Sequence, residues 1–308
     1  MNCLAAIKQS QHQLVHIYTQ PAQKAGRGKK LTPTDVALWA DENKIGCTES
    51  VNVNTPQSIE ILKSFNADLL VVIAFGQKIS NEVINIFPKS AINVHASLLP
   101  KYRGAAPINW AIINGEHQTG VSIITLADRM DAGEVLGQAS ININPNDTAD
   151  IVHDKLAEIS APLIIDVINQ IEAGTAVYAK QNDSNATKAP KFQKSDGYID
   201  WRLPADQIRN KIRGMWPWPG VQAVYVSGQT GKTFRATIAS AEVVKKQDGK
   251  SWQSPGTLDE NMNVICGQDC LKIIKLKPSG GNVMDFASFA NGRAAKPGDI
   301  FMPIEQIQ

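Results

Sequence analysis

Apolar segments and segments with helical spacing alternate along the first 172 residues. Residues 68–75 (DLLVVIAF) form a continuous apolar run, which is typical of a strand that is buried on both faces. Further strands are predicted at residues 14–18, 90–95 and 120–126, and helices at residues 33–42, 55–65, 80–86, 105–113 and 148–171. Because strands that alternate with helices build parallel sheets, this half is predicted to be an α/β domain with a doubly wound, Rossmann-like, mostly parallel sheet.

The pattern changes after about residue 173. Residues 181–194 (QNDSNATKAPKFQK) are polar and rich in turn formers, so they are predicted to be a surface linker. A short helix is predicted at residues 205–213, followed by short alternating strands at residues 221–226, 232–238, 242–245, 264–266 and 271–277. We therefore expect an α/β domain over 1–172, a linker over 173–204 and a small, OB-like β-barrel over 205–308.

Composition limits the class of protein. Hydrophobic residues make up 43% of the chain and charged residues 19%, which is typical of globular proteins and not of disordered ones. No apolar run approaches the ~18 residues that span a membrane. The four cysteines are scattered and the first residues lack a targeting pattern, so a cytoplasmic protein is expected. The pair Cys266 and Cys270 has no second Cys/His pair nearby, so no metal is predicted.

Charge is distributed unevenly along the chain. Residues 1–187 carry 14 Lys/Arg and 18 Asp/Glu (net −4), whereas residues 188–308 carry 17 and 11 (net +6). An asymmetry of this kind indicates a polyanionic partner for the basic part, or simply a solvated surface.

Three polar residues follow strand ends in the α/β half. Asn93 and His95 lie two apart on one predicted strand and therefore share a face at its carboxyl end, where ligands bind in open α/β sheets. Asp131 lies in the loop after the next predicted strand, and spacing alone would also allow the carboxylate of Asp128 in the same loop. An amide, an imidazole and a carboxylate at one sheet edge are suited to general acid–base chemistry; a buried structural polar pair is the alternative.

Two loops flank this predicted site. Residues 97–107 (SLLPKYRGAAP) follow His95 directly and could form one wall of a pocket, or simply connect strand and helix. Residues 25–34 (AGRGKKLTPT) place Arg27, Lys29 and Lys30 in a glycine-containing loop, which suits a phosphate backbone but is not a P-loop. An exposed polar loop is the alternative.

Three segments carry a resemblance to a known family. Residues 19–34 (TQPAQKAGRGKKLTPT), 92–108 (INVHASLLPKYRGAAPI) and 119–136 (TGVSIITLADRMDAGEVL) together resemble the methionyl-tRNA formyltransferases, and residues 199–220 resemble the start of their C-terminal domain. The resemblance extends over nearly the whole chain. The Asn-x-His…Asp set marks the wider superfamily of 10-formyltetrahydrofolate-dependent formyltransferases, and the basic loop narrows it to the tRNA-formylating branch.

This resemblance implies an activity: transfer of a formyl group from 10-formyltetrahydrofolate to the α-amine of methionyl-initiator tRNA. It implies catalytic roles for Asn93, His95 and Asp131, and so selects Asp131 over Asp128. It implies folate contacts at Ser97, Leu98, Leu99, Pro100, Ala74, Phe75, Gly76 and Asp128. It also implies tRNA contacts at Arg27, Lys29, Lys30 and the C-terminal barrel. We expect a monomer.

The chain departs from the family pattern at its start. The family begins with a strand and a Gly-Thr-Pro loop, and no such segment is found here. We expect either a start site upstream or a chain that lost activity and retains only tRNA binding. A formyltransferase that acts on an amino sugar nucleotide is the nearest enzymatic alternative, because it shares Asn-x-His and the Leu-Leu-Pro segment. A nicotinamide-dependent dehydrogenase is disfavoured, because no Gly-x-Gly-x-x-Gly follows a strand.

Overall fold

The structure is a computed structural model, which describes residues 1–25, 30–245 and 254–304. Within these ranges, the α-helices are α1 (Asn2–Gln9), α2 (Asp35–Glu42), α3 (Pro56–Ser64), α4 (Asn81–Ile84), α5 (Pro107–Ile113), α6 (Ala149–Ala173), α7 (Ala205–Met215) and α8 (Phe286–Asn291). Among the described residues, no helix is both long enough and apolar enough to cross a membrane.

The strands are mostly short. They are β1 (Ile17–Thr19), β2 (Gln23–Ala25), β3 (Lys30–Thr32), β4 (Cys47–Glu49), β5 (Leu69–Ile73), β6 (Ser90–His95), β7 (Arg103–Gly104), β8 (Gln118–Thr125), β9 (Val135–Asn142), β10 (Lys188–Ala189), β11 (Val221–Val226), β12 (Thr233–Val244), β13 (Val264–Ile265), β14 (Cys270–Pro278), β15 (Met284–Asp285) and β16 (Ile300–Met302). The predicted strands at 90–95 and 221–226 have these bounds, whereas β4, β7, β9, β10, β15, β16 and the pair β2 and β3 were not predicted.

Side-chain caps fix the starts of three helices in the α/β half. Thr34, Thr55 and Ser80 each precede a helix and accept a hydrogen bond from the backbone N–H three residues later. Such a cap satisfies one of the amides that a helix N-terminus leaves unpaired. After Thr55, proline occupies the first helical position, where its missing N–H costs no hydrogen bond.

The first compact unit comprises residues 1–104, 120–141 and 154–188. Its four-stranded sheet has the order β5-β6-β8-β9, in which β6 runs parallel to β5 and antiparallel to β8. A separate parallel pair joins β1 to β4. These parallel pairs, with helices between the strands in sequence, confirm the predicted Rossmann-like α/β class.

Strand β5 differs from its prediction. Its apolar run indicates burial on both faces, but its side chains are half-buried and Ile73 is 40% exposed. The reason is its place in the sheet, because β5 is the last strand of the order and has a described neighbour on one side alone. The core of this unit lies instead around β6, β8 and α6, where Ile92, Ile123 and Ile164 are fully buried.

The second compact unit comprises residues 105–119, 142–153 and 189–308. Its sheet has the order β13-β14-β12-β11-β16, with antiparallel pairing that confirms the predicted small barrel-like domain. One long strand, β12, replaces the two strands predicted at 232–238 and 242–245. An irregularity in its register near Ser240 explains the break in the apolar alternation, since a bulge shifts which residues face the core without ending the strand.

Candidate active site

His95 is the last residue of β6 and its side chain is 6% exposed. It lies opposite Ser122 on the neighbouring strand β8. Nε2 lies 2.9 Å from the backbone carbonyl oxygen of Tyr102, in the loop that follows β6. Because a carbonyl oxygen can accept but not donate, this contact places a hydrogen on Nε2.

The other imidazole nitrogen of His95 faces a carboxylate. Nδ1 lies 3.6 Å from an oxygen of Asp131, whose side chain is 13% exposed. The same oxygen accepts a hydrogen bond of 2.9 Å from the backbone N–H of Gly104. With Nε2 already carrying a hydrogen, a proton on Nδ1 would make the imidazole cationic and complementary to the carboxylate.

The rival carboxylate, Asp128, occupies a different place. It is exposed and accepts a hydrogen bond of 2.8 Å from the side chain of Asn81, at the start of α4. Both aspartates follow β8, so sequence spacing alone left the choice between them open. The structure brings Asp131, not Asp128, to the imidazole.

Asn93 lies on the same face of β6 as His95, as the two-residue period predicts, and its side chain is half-buried. Its cross-strand neighbours are the apolar residues Val72 on β5 and Ile124 on β8. The structure gives the Asn93 amide no hydrogen bond to another residue of the described ranges, so its N–H groups remain available to a ligand.

The segment that follows His95 makes hydrogen bonds to side chains of the sheet. Ser122 is fully buried on β8, and its hydroxyl donates to the carbonyl oxygen of Ser97 (2.6 Å) and accepts from the N–H of Leu99 (3.0 Å). Gln138 on β9 donates to that hydroxyl and to the carbonyl oxygen of Leu99. Among the predicted folate contacts here, Ser97 and Leu99 have buried side chains, whereas those of Leu98 and Pro100 are half-buried.

The turn after β5 holds the other predicted folate contacts. Ala74 and Gly76 are exposed, both have a positive φ (+45° and +75°), and the carbonyl oxygen of Phe75 accepts a hydrogen bond from Gln20. An open groove of about 340 Å³ lies in the same unit. Its lining includes Asn54, Lys78, Ile79, Ser80, Asn81 and Asp128.

The predicted basic loop lies only partly within the described residues. Arg27 and Lys29 lie outside the described residues, and Lys30 is exposed at the start of β3. The arms of the loop, β2 and β3, pair antiparallel in a hairpin, which the sequence pattern had not indicated.

In the second unit, three exposed lysines lie on β14. In the strand register, Lys272 lies opposite Glu242 on β12, and Lys277 lies opposite the neutral Thr237 on β12. Lys275 lies opposite Ser240 on β12 and Asp285 on β15.

Residues of the predicted linker also reach the loop of Asp131. The side chain of Gln181 donates to the backbone carbonyl oxygens of Asp131 (2.9 Å) and Gly133 (2.7 Å). This contact was not predicted, because a polar stretch rich in turn formers carries no signal for it. Ser122 was not predicted either, although a serine within the apolar run VSIIT could have indicated it.

Cys266 and Cys270, for which no metal was predicted, are buried and form no disulfide bond. Burial raises the pKa of Cys266 to about 12. In the described part of the chain, no three His, Cys, Asp or Glu side chains are grouped as metal ligands.

The chain combines an α/β unit, in which Asn93, His95 and Asp131 follow or end strands, with an antiparallel barrel-like unit. This combination defines a class of protein. The chain belongs to the formyl transferase family: the family model matches residues 2–168, and the model of the formyl transferase C-terminal domain matches residues 191–294.

Individual relatives carry a more specific name. The methionyl-tRNA formyltransferase of Agathobacter rectalis is 36% identical over 97% of this chain and 94% of the relative, and that of Geobacter metallireducens is 35% identical over 92% and 89%. Among solved structures, the N-formyltransferase of Helicobacter canadensis, in complex with folinic acid and dTDP-3-aminofucose, has a TM-score of 0.61. That likeness covers 88% of this chain and 94% of the other at 18% identity, and it therefore concerns the fold alone.

Proposed function

We propose that this protein transfers a formyl group from 10-formyltetrahydrofolate to the α-amine of methionyl-initiator tRNA. The observation that carries this proposal is the set of relatives named methionyl-tRNA formyltransferase, which match at 35–36% identity over nearly the full length of both chains. The fold is shared with enzymes that formylate other amines, so it supports the reaction type more strongly than the acceptor.

In this reaction a bond forms between the amine nitrogen and the formyl carbon, and the bond from that carbon to N10 of the folate breaks. Negative charge builds on the formyl oxygen as the amine attacks. We assign stabilisation of this charge to the amide of Asn93 and to the Nδ1 proton of His95. Loss of one such donor typically lowers the rate by ~10²–10³.

His95 and Asp131 handle the protons. The attacking amine loses one proton, and N10 must gain one as it leaves. The separation of 3.6 Å between Nδ1 and the Asp131 oxygen exceeds hydrogen-bond length, so the Nδ1 proton is not committed to the carboxylate. His95, directly or through a water, relays the proton, and Asp131 orients the imidazole.

We propose that the folate binds against two segments at the carboxyl ends of the strands. Leu98 and Pro100 offer partly exposed apolar surface beside the catalytic residues, and the turn 74–76 offers backbone groups. Ser97 and Leu99 have buried side chains, so their contribution is the backbone of the wall and not side-chain contact. Asp128 borders the open groove described above.

Binding of the tRNA is assigned to the basic loop and to the barrel-like unit. Lys30 is exposed on the hairpin arm beside the residues 26–29, which include Arg27 and Lys29. The exposed lysines of β14 lie in the part of the chain with net charge +6, as a partner rich in phosphate requires. We further propose that the protein acts as a monomer in the cytoplasm.

An assay with two acceptors tests the proposal. The 308-residue chain is given 10-formyltetrahydrofolate with methionyl-initiator tRNA and an amino sugar nucleotide, and the formylated products are separated. We expect formylmethionyl-tRNA as the product, and loss of the product with His95→Ala. Formylation of the sugar alone overturns the proposed acceptor. Binding of the tRNA without any transfer identifies a non-catalytic relative, and an undiminished rate for His95→Ala refutes the assigned site.

A further inference from the structure

Both ends of the Gln181 side-chain amide, the NH₂ group and the oxygen, are engaged in hydrogen bonds. Its NH₂ group donates to the carbonyl oxygens of Asp131 and Gly133, at 2.9 and 2.7 Å. Its oxygen accepts from Nε and Nη2 of Arg103, at 3.1 and 2.7 Å. The orientation of the amide is therefore fixed, because the reverse orientation would place NH₂ against a guanidinium and oxygen against two carbonyl oxygens.

The partner of Gln181 is itself anchored. Arg103 is 10% exposed and also donates to Asp183 at 2.8 Å, and Arg129 donates to the second oxygen of the same carboxylate at 2.8 Å. The hydrogen bonds from Arg103 and Arg129 lower the pKa of Asp183. The segment 181–183 thus joins the loop before α5 to the loop after β8.

The backbone that Gln181 holds is constrained. Asp131 adopts a φ of +53°, in the left-handed region that is uncommon for residues with a side chain, although aspartate tolerates it better than most. Two residues later, Gly133 approaches β8 so closely that a Cβ there would lie 1.7 Å from the carbonyl oxygen of Thr125. Gln181 donates to the carbonyl groups of both residues and so bridges the turn that aims the Asp131 carboxylate.

We propose that Gln181 is a positioning residue for Asp131: it fixes the backbone turn that keeps the carboxylate against Nδ1 of His95. This inference rests on the proposed function, because it treats Asp131 as the partner of the catalytic imidazole. Gln181 itself is not placed in contact with the reacting atoms, and it acts through Asp131.

Three variants test the role. Gln181→Met keeps the length of the side chain and removes both hydrogen-bonding ends. Gln181→Glu keeps the acceptor for Arg103 but turns oxygen toward two carbonyl oxygens. Gln170→Met, on α6, removes a similar amide whose side-chain partner is Asp166 and serves as the matched control. We expect kcat to fall about 10- to 100-fold for both Gln181 variants, with smaller changes in KM for either substrate, and to stay at the parent value for the control.

A double-mutant cycle separates positioning from a general structural role. If Gln181 acts through Asp131, then Gln181→Met costs little further activity once Asp131→Asn is present. An equal fold-loss in both backgrounds overturns the proposal.

A second readout does not depend on turnover. The ¹⁵N chemical shifts of the His95 ring report which nitrogens carry protons, and we expect Gln181→Met to move them while Gln170→Met does not. Unchanged shifts with unchanged kcat also overturn the role of Gln181. A parent chain that transfers no formyl group to tRNA instead counts against the proposed function, and the ring shifts still test the positioning.

Discussion

An oxygen of the Asp131 carboxylate lies 3.6 Å from Nδ1 of His95 and accepts a hydrogen bond from the N–H of Gly104. The backbone N–H of Gly104 therefore helps to hold the Asp131 carboxylate beside the imidazole of His95. Asp131→Asn removes the negative charge but keeps the size of the side chain, so we expect kcat to fall ~10²–10³-fold with smaller changes in KM. Steady-state formylation assays measure both constants.

Asp128 is the matched comparison for that prediction. It lies three residues earlier in the same loop and contacts Asn81 instead of His95. We expect Asp128→Asn to raise KM for the folate more than it lowers kcat. A greater loss of kcat for Asp128→Asn than for Asp131→Asn would reverse the assignment of the two carboxylates.

The hydroxyl of Ser122 supports the wall that follows His95. It is fully buried and contacts Ser97, Leu99 and Gln138, so Ser122→Ala leaves buried polar groups without a partner. We expect a loss of about 1–3 kcal/mol in the free energy of unfolding, measured by urea denaturation. The exposed Ser279, replaced by alanine, is the control and is expected to change stability by less than about 0.5 kcal/mol.

His16 couples stability to pH. Its ring stacks on Phe65 with 4.3 Å between centroids and its Nε2 lies 2.9 Å from the Thr48 hydroxyl, and burial lowers the pKa of His16 below its ordinary value of 6.5. The folded state therefore prefers the neutral ring. The contribution of the neutral His16 ring to the free energy of unfolding is present above pH 6.5. It is lost as the pH falls through the lowered pKa, since the unfolded chain takes up the proton first.

The measurement for His16 is a difference between two proteins. Urea unfolding of the parent and of His16→Gln is compared from about pH 8 to about pH 5. We expect the advantage of the parent to shrink toward acid, and a constant difference across this range contradicts the prediction.

Lys277 is the lysine of β14 best placed for a phosphate. In the strand register it lies opposite the neutral Thr237. Lys272 lies opposite Glu242, whose carboxylate would compete with a phosphate for the ammonium group. We expect Lys277→Ala to weaken tRNA binding and to reduce the slope of log affinity against log salt by about one. Lys272→Ala should have a smaller effect in the same titration, and equal effects would argue against selection by the cross-strand neighbour.

Some of the site follows from local rules. The two-residue period of a strand is enough to put Asn93 and His95 on one face, and the end of a strand is where open sheets bind ligands. A cap such as Thr55 can also be read from a few neighbouring residues. These features depend on interactions within one element.

Other features depend on where distant residues meet. Spacing treats Asp128 and Asp131 alike, and only the path of the loop after β8 separates them. The half-buried state of β5 depends on its place in the sheet order and not on its own apolar sequence. Gln181 reaches the Asp131 loop from 50 residues away, and nothing in its polar neighbourhood indicates that contact.

The contacts of Gln181 also bear on where the chain can be divided. The α/β domain was predicted to end at residue 172, but Gln181 and Asp183 bind the loops around Asp131 and Arg103. A fragment that stopped at 172 would keep Asn93, His95 and Asp131 and lose the residue that we propose aims the carboxylate. A fragment meant to keep the site of Asp131 should therefore extend at least to residue 188, where the first compact unit ends.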